Sequence, residues 1–97
     1  ELMNGCNQLY PVGHGSHATP SEGSVTYWAY PERERQHTPM SPKIAPTGTI
    51  SDAVRYRRDF PDGRIGSDPT LSNAADGGKI VDVAAKCLIE EVTRFGS

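Results

Sequence analysis

One stretch of this sequence concentrates reactive side chains: Gly13-His14-Gly15-Ser16-His17-Ala18-Thr19-Pro20-Ser21-Glu22. It holds two imidazoles, several hydroxyls and one carboxylate. Imidazole is the side chain best suited to passing protons near neutrality. Gly13 and Gly15 allow the backbone to approach a ligand closely. A helix start just beyond offers free N–H groups to an anion or a developing oxyanion. A purely structural account of the same residues also stands. Thr19 reads as an N-cap, Pro20 as the first helical residue, and Glu22 as the carboxylate that closes a capping box. His-x-x-His in a loop is by itself a weak motif.

Other chemistries find less support. A zinc site drawn from Cys6, His14 and His17 lacks a spacing that secures three ligands in good geometry. Ser16 adjoins His17, but no Gly-x-Ser-x-Gly elbow surrounds it. Gly13, Gly15 and Gly77-Gly78 do not form a phosphate-binding fingerprint. Arg33, Arg35, Arg55, Arg57, Arg58 and Arg64 read as a solvated or interface set.

The elements that must position the cluster are mostly helical. Residues 1–10 form a weak helix with Leu2, Cys6 and Leu9 on one face, and residues 11–19 a loop. A helix is expected from Pro20 to about Tyr30, stopped by Pro31, with Val25, Trp28 and Ala29 as its apolar face. Residues 31–49 are a Pro-rich excursion that needs a surface to lie on, since ordering each residue costs about 1–2 kcal/mol. Ser51–Phe60 reads as a short helix capped by Ser51 or Asp52, and Pro61-Asp62-Gly63 as a turn. The clearest element runs from about Asn73 to Phe95. Ile80, Ala84, Leu88, Val92 and Phe95 form one stripe, widened by Val83 and Cys87, opposite Lys79, Asp82, Lys86, Glu90 and Thr93. No convincing strand exists for this helix to cover.

Composition limits the rest. The chain has 97 residues, 35% of them hydrophobic and 7% aromatic, with ten Gly and eight Pro, so a self-sufficient core is thin. A net charge of −2 with both signs interspersed argues against nucleic acid as a partner. No apolar run approaches a membrane span. Cys6 and Cys87 do not form a secreted disulfide framework, and a reduced, cytoplasmic setting fits better. The opening at Glu1, within a helix-like stretch, reads as a processed or proteolysed piece of something longer.

Two stretches in order add a family resemblance. His17-Ala18-Thr19-Pro20-Ser21-Glu22-Gly23-Ser24 resembles the creatininase-family segment in which a loop His is followed five residues later by Glu, opening a helix. Gly63-Arg64-Ile65-Gly66-Ser67-Asp68-Pro69-Thr70-Leu71, with Gly77 and the long helix after it, is similar to the family's near-terminal Gly/Asp-Pro stretch and closing helix. The match spans nearly all of this chain but only the last third or so of a typical member. It implies an α/β layered domain of which residues 1–97 are the C-terminal, mostly helical and loop portion, the sheet coming largely from the N-terminal portion.

It also implies metal-dependent hydrolysis of a cyclic amide or formamide C–N bond. His17 would be the acid–base residue, Glu22 would orient the loop or the histidine, and Gly13, His14 and Ser16 would line the substrate pocket. Divalent metal ions (Zn, Mn or Fe) would be held mainly by the N-terminal portion, with no ligand assigned here. The implied partners are that N-terminal portion, further copies of the enzyme (members are often hexamers) and a small amide. Creatininase itself has a Trp lidding the substrate four residues before the His; Gly13 stands there in this chain, so creatinine is not singled out. A noncatalytic module, docking a larger chain through its arginines and amphipathic helix, is the alternative.

Overall fold

The structure is a computed structural model that describes residues 2–36 and 38–96; the helix-like reading at Glu1 lies outside them. Four α-helices follow in chain order: α1 (Leu2–Leu9), α2 (Pro20–Ala29), α3 (Ala53–Asp59) and α4 (Ala74–Gly96). Short 3₁₀ turns occupy Pro31–Arg33 and Pro69–Leu71. Among the described residues there is no strand, only an isolated antiparallel bridge between His17 and Ile65. No described helix is long and apolar enough to cross a membrane.

Local chemistry sets most of the boundaries. At α2 the Thr19 hydroxyl accepts from the Glu22 backbone N–H while the Glu22 carboxylate accepts from that of Thr19, so the expected capping box is formed. Asp52, rather than Ser51, caps α3 through the Arg55 backbone N–H. The turn after α3 closes by a 2.9 Å bond from the Gly63 N–H to the Phe60 carbonyl, with Gly63 at φ 84°. Asn73 caps α4, its Oδ1 taking the Asp76 N–H at 2.9 Å. Glu34 reaches in from the Pro-rich segment to accept the Ala74 N–H at 3.1 Å.

Packing centres on the crossing of α2 and α4, and the buried face of α2 is not the expected one. Val25 is only half-buried and Trp28 and Ala29 are exposed, whereas Pro20 and Ser24 are fully enclosed. The reason is backbone proximity. A Cβ added to Gly77 would overlap the Ser24 carbonyl, and one added to Gly23 would meet Ser72 Cβ at 2.9 Å. Two helices this close leave room only for small side chains, so bulkier residues turn outward. The Ser24 hydroxyl uses the tight space as a polar hub, bonded to the Tyr10 hydroxyl at 2.6 Å and accepting the Asn73 N–H at 3.0 Å. Cys6, Tyr10 and Ile80 make the apolar core beside it, with Leu9, Val25 and Leu71 packed around them.

The Pro-rich segment finds a partial floor through Arg64, which is 2% exposed. Its guanidinium donates to the carbonyls of Pro42 (2.7 Å), Lys43 (3.0 Å) and Ser67 (3.1 Å), and to Asp62 Oδ2 at 2.7 Å. This arginine is therefore an internal clamp, unlike the solvated or interface role read for it from sequence. α4 outruns its packing: at ~1.5 Å per residue its 23 residues reach roughly 34 Å. Ile80 is buried, but Leu88, Ile89, Val92 and Phe95 are exposed. The radius of gyration, 15.5 Å, accordingly exceeds the about 13 Å of a compact chain of this length.

Candidate functional site

The loop before α2 is held against the segment after α3 by backbone contacts. The Ser16 N–H donates to the Ile65 carbonyl at 2.9 Å, and the Asp68 N–H to the Gly13 carbonyl at 2.8 Å. The His17 carbonyl accepts from the Ile65 N–H at 3.4 Å and from the fully buried Ser67 hydroxyl at 2.6 Å. Gly15, at φ 69°, is required at this junction, because a Cβ there would stand 2.5 Å from the Gly66 carbonyl carbon and 2.6 Å from the Ser67 nitrogen. Ala18 is also left-handed, at φ 55°, a conformation disfavoured for a residue with a Cβ and found here between His17 and the cap.

This anchoring sends the two histidines to different places. Side chains alternate along extended backbone, so where Ser16 faces a groove, His17 faces away from it. The groove, of about 1030 Å³, is bordered by His14, Gly15, Ser16, Thr19, Ser21 and Glu22 on one side and by residues of α1 on the other. His17 and Gly13 do not line it. The His17 ring is exposed and meets Tyr56 of α3 edge-on, with centroids 6.5 Å apart. Gly13 instead packs over Asp68 and Leu71. Of the residues singled out from the sequence, His14, Ser16 and Glu22 therefore share one face, while His17 occupies the other.

His14 is 8% exposed. Its ring stacks parallel to that of Tyr10 at 6.0 Å, and Nε2 lies 2.9 Å from the Ser21 hydroxyl. Burial pushes the Tyr10 hydroxyl up to about 12, reinforced by the neighbouring Asp76 carboxylate and opposed by the Ser24 bond. Tyr10 thus stays protonated as an internal donor. Beside the Arg64 clamp, hydrogen bonds from that guanidinium hold the Asp62 carboxyl below its usual range.

One buried acid escaped the sequence reading. Asp68 is fully enclosed; its Oδ1 accepts from the Thr70 N–H and hydroxyl, and Oδ2 has no hydrogen-bond partner. The Asp-Pro-Thr order was the available signal, since Asp readily accepts from the N–H two residues on. Among the described residues, no group of three or more His, Cys, Asp and Glu side chains converges as a metal site requires. Neither Cys6 nor Cys87 forms a disulfide. Comparison with protein-family models and with curated proteins finds no match for this chain.

Proposed function

We propose that this chain is the C-terminal portion of a creatininase-like amidohydrolase, a layered α/β domain whose sheet and divalent metals come mainly from the N-terminal portion. The observation that supports this most is the zipper between residues 13–17 and 65–68. The two stretches that carry the resemblance are far apart in sequence, yet they bond to each other directly through His17, Ile65 and Ser67. In this reading His17 is the acid–base residue for the C–N bond of a cyclic amide or formamide. Its carbonyl does the structural work and leaves the ring exposed for substrate. Glu22 positions the loop through the capping box, while His14 and Ser16 border the groove on the face opposite His17. The described residues do not fit a metal site of their own.

A His17→Ala enzyme, purified as the complete assembly, is expected to keep its melting temperature. It should lose about 10²–10⁴ in kcat toward the amide that a panel of cyclic amides and formamides identifies. Normal turnover in that variant would refute the assignment. The second reading, a noncatalytic docking module, is favoured by the exposed apolar residues at the far end of α4. Copurification of a larger polypeptide that releases a divalent metal supports the enzyme; a folded, metal-free, solitary chain supports the module.

A further inference from the structure

A chain of hydroxyls joins His14 to Glu22, and its polarity follows from what each atom can donate. A carboxylate only accepts. Glu22 Oε2 takes the Thr19 backbone N–H at 3.2 Å and the Thr19 hydroxyl at 3.1 Å. With that hydroxyl proton committed, the 3.0 Å contact between Thr19 and Ser21 requires Ser21 to donate to Thr19 Oγ1. Ser21 Oγ then faces His14 Nε2, 2.9 Å away, with lone pairs alone, so the imidazole must be the donor. A capping box needs only Thr19 and Glu22. Ser21 and a nearly buried histidine are additions that capping does not explain.

We propose that His14, Ser21, Thr19 and Glu22 form an oriented proton relay along the wall of the groove. In one passage a doubly protonated His14 releases its Nε2 proton to Ser21 Oγ. Ser21 passes its own proton to Thr19 Oγ1, and Thr19 passes its own to Glu22 Oε2. The imidazolium ends as a neutral ring protonated on Nδ1, the carboxylate ends as a carboxylic acid, and each hydroxyl keeps one proton with its direction reversed. The reverse passage resets the chain. Glu22, exposed at the groove, can then deliver that proton to a substrate group held there, a second proton path on the face opposite His17. This last use rests on the amidohydrolase reading, whereas the relay itself does not. Ser21 and Thr19 are positioning residues, acting through Glu22.

Long-range ¹H–¹⁵N correlation spectra of the chain test the resting state. Neutral His14 is expected to carry its proton on Nε2. Ser21→Ala and Glu22→Ala, checked for an intact fold by their amide spectra, should shift His14 toward a mixture of tautomers. Glu22→Gln keeps an acceptor oxygen in place and should hold the parent tautomer, as should Thr19→Ser. A parent His14 protonated on Nδ1, or a Ser21→Ala variant with the parent tautomer, overturns the relay. In the complete assembly Ser21→Ala should lower kcat by about 10²-fold with KM unchanged. Undiminished turnover there overturns the catalytic use of the relay. An Nε2-protonated His14 in an assembly that cleaves no amide upholds the relay and refutes the hydrolase reading alone.

Discussion

Adjacent glycines on α4 should respond very differently to the same substitution. At Gly77 an added Cβ overlaps the Ser24 carbonyl oxygen and stands 2.6 Å from its carbon and 2.7 Å from Trp28 Cβ. Restoring a carbon–carbon separation of ~3.5 Å requires α2 and α4 to part by roughly an ångström. The 3.0 Å bonds from the Asn73 N–H to Ser24 Oγ and from Ser72 Oγ to the Pro20 carbonyl cannot survive such a shift. Overpacking costs about 1–3 kcal/mol, and a buried polar group left unpaired about 1–3 more. Replacing a helical glycine by alanine returns about 1 kcal/mol. Gly77→Ala should therefore lose about 3 kcal/mol, a large part of the roughly 5–15 kcal/mol expected for a domain of this length. At Gly78 the new Cβ meets only the Trp28 ring, at 3.0 and 3.1 Å, and that side chain is half-exposed and free to swing. There the helix gain offsets the crowding, and Gly78→Ala should lie within about 0.5 kcal/mol of the parent. Urea unfolding, followed by circular dichroism and Trp28 fluorescence, measures both. A Gly77→Ala protein as stable as the parent, or a Gly78→Ala protein as damaged as Gly77→Ala, would refute the close-packed crossing.

Tyr10 should make the fold sensitive to alkali. Its folded value is raised from 10.0 to about 12, so the stabilisation is complete below pH 10 and is lost as pH rises from there through 12. Denaturation midpoints across that window should fall more steeply for the parent than for Tyr10→Phe; parallel profiles would contradict the burial of this hydroxyl. Arg64→Lys, which cannot present the planar fork, should cost about 2–4 kcal/mol by leaving carbonyls of Pro42, Lys43 and Ser67 without their donor. Limited proteolysis should then cut the 31–49 segment faster, and unchanged protection would argue that the clamp is dispensable.

What could be read in the sequence was whatever its neighbours along the chain decide. The capping box of Thr19 and Glu22, the Asp52 and Asn73 caps and the Pro61-Asp62-Gly63 turn each depend on residues two or three apart. All formed as read. The long periodic helix was legible for the same reason. The face buried by α2 was not, because hydrophobicity points to Val25 and Trp28, while the distance between two backbones selects Ser24 and Gly77. Arg64 looked like any surface arginine, since the carbonyls it clamps come from a segment about twenty residues away. At the candidate site, sequence treated His14 and His17 as one cluster. Their separation follows from the His17–Ile65 bridge, a pairing across a long stretch of chain that no local pattern announces.

The site and the bare end of α4 are energetically separate, and this bears on how the chain would work. Burying a side chain such as Leu88, Ile89, Val92 or Phe95 is worth about 1.5–3 kcal/mol each. Phe95 is almost wholly exposed and the other three about two-thirds exposed, so a covering surface has roughly 4–9 kcal/mol to gain from them, comparable with the stability of the domain itself. Whatever covers this face would therefore contribute to folding on the same scale as the internal core of Cys6, Tyr10 and Ile80. The loop of residues 13–17 draws on none of it, because its anchors are Ile65, Ser67 and Asp68. Its backbone geometry can thus be set before any partner arrives. On the hydrolase reading proposed above, association would then add stability and substrate-binding surfaces to a loop already in place.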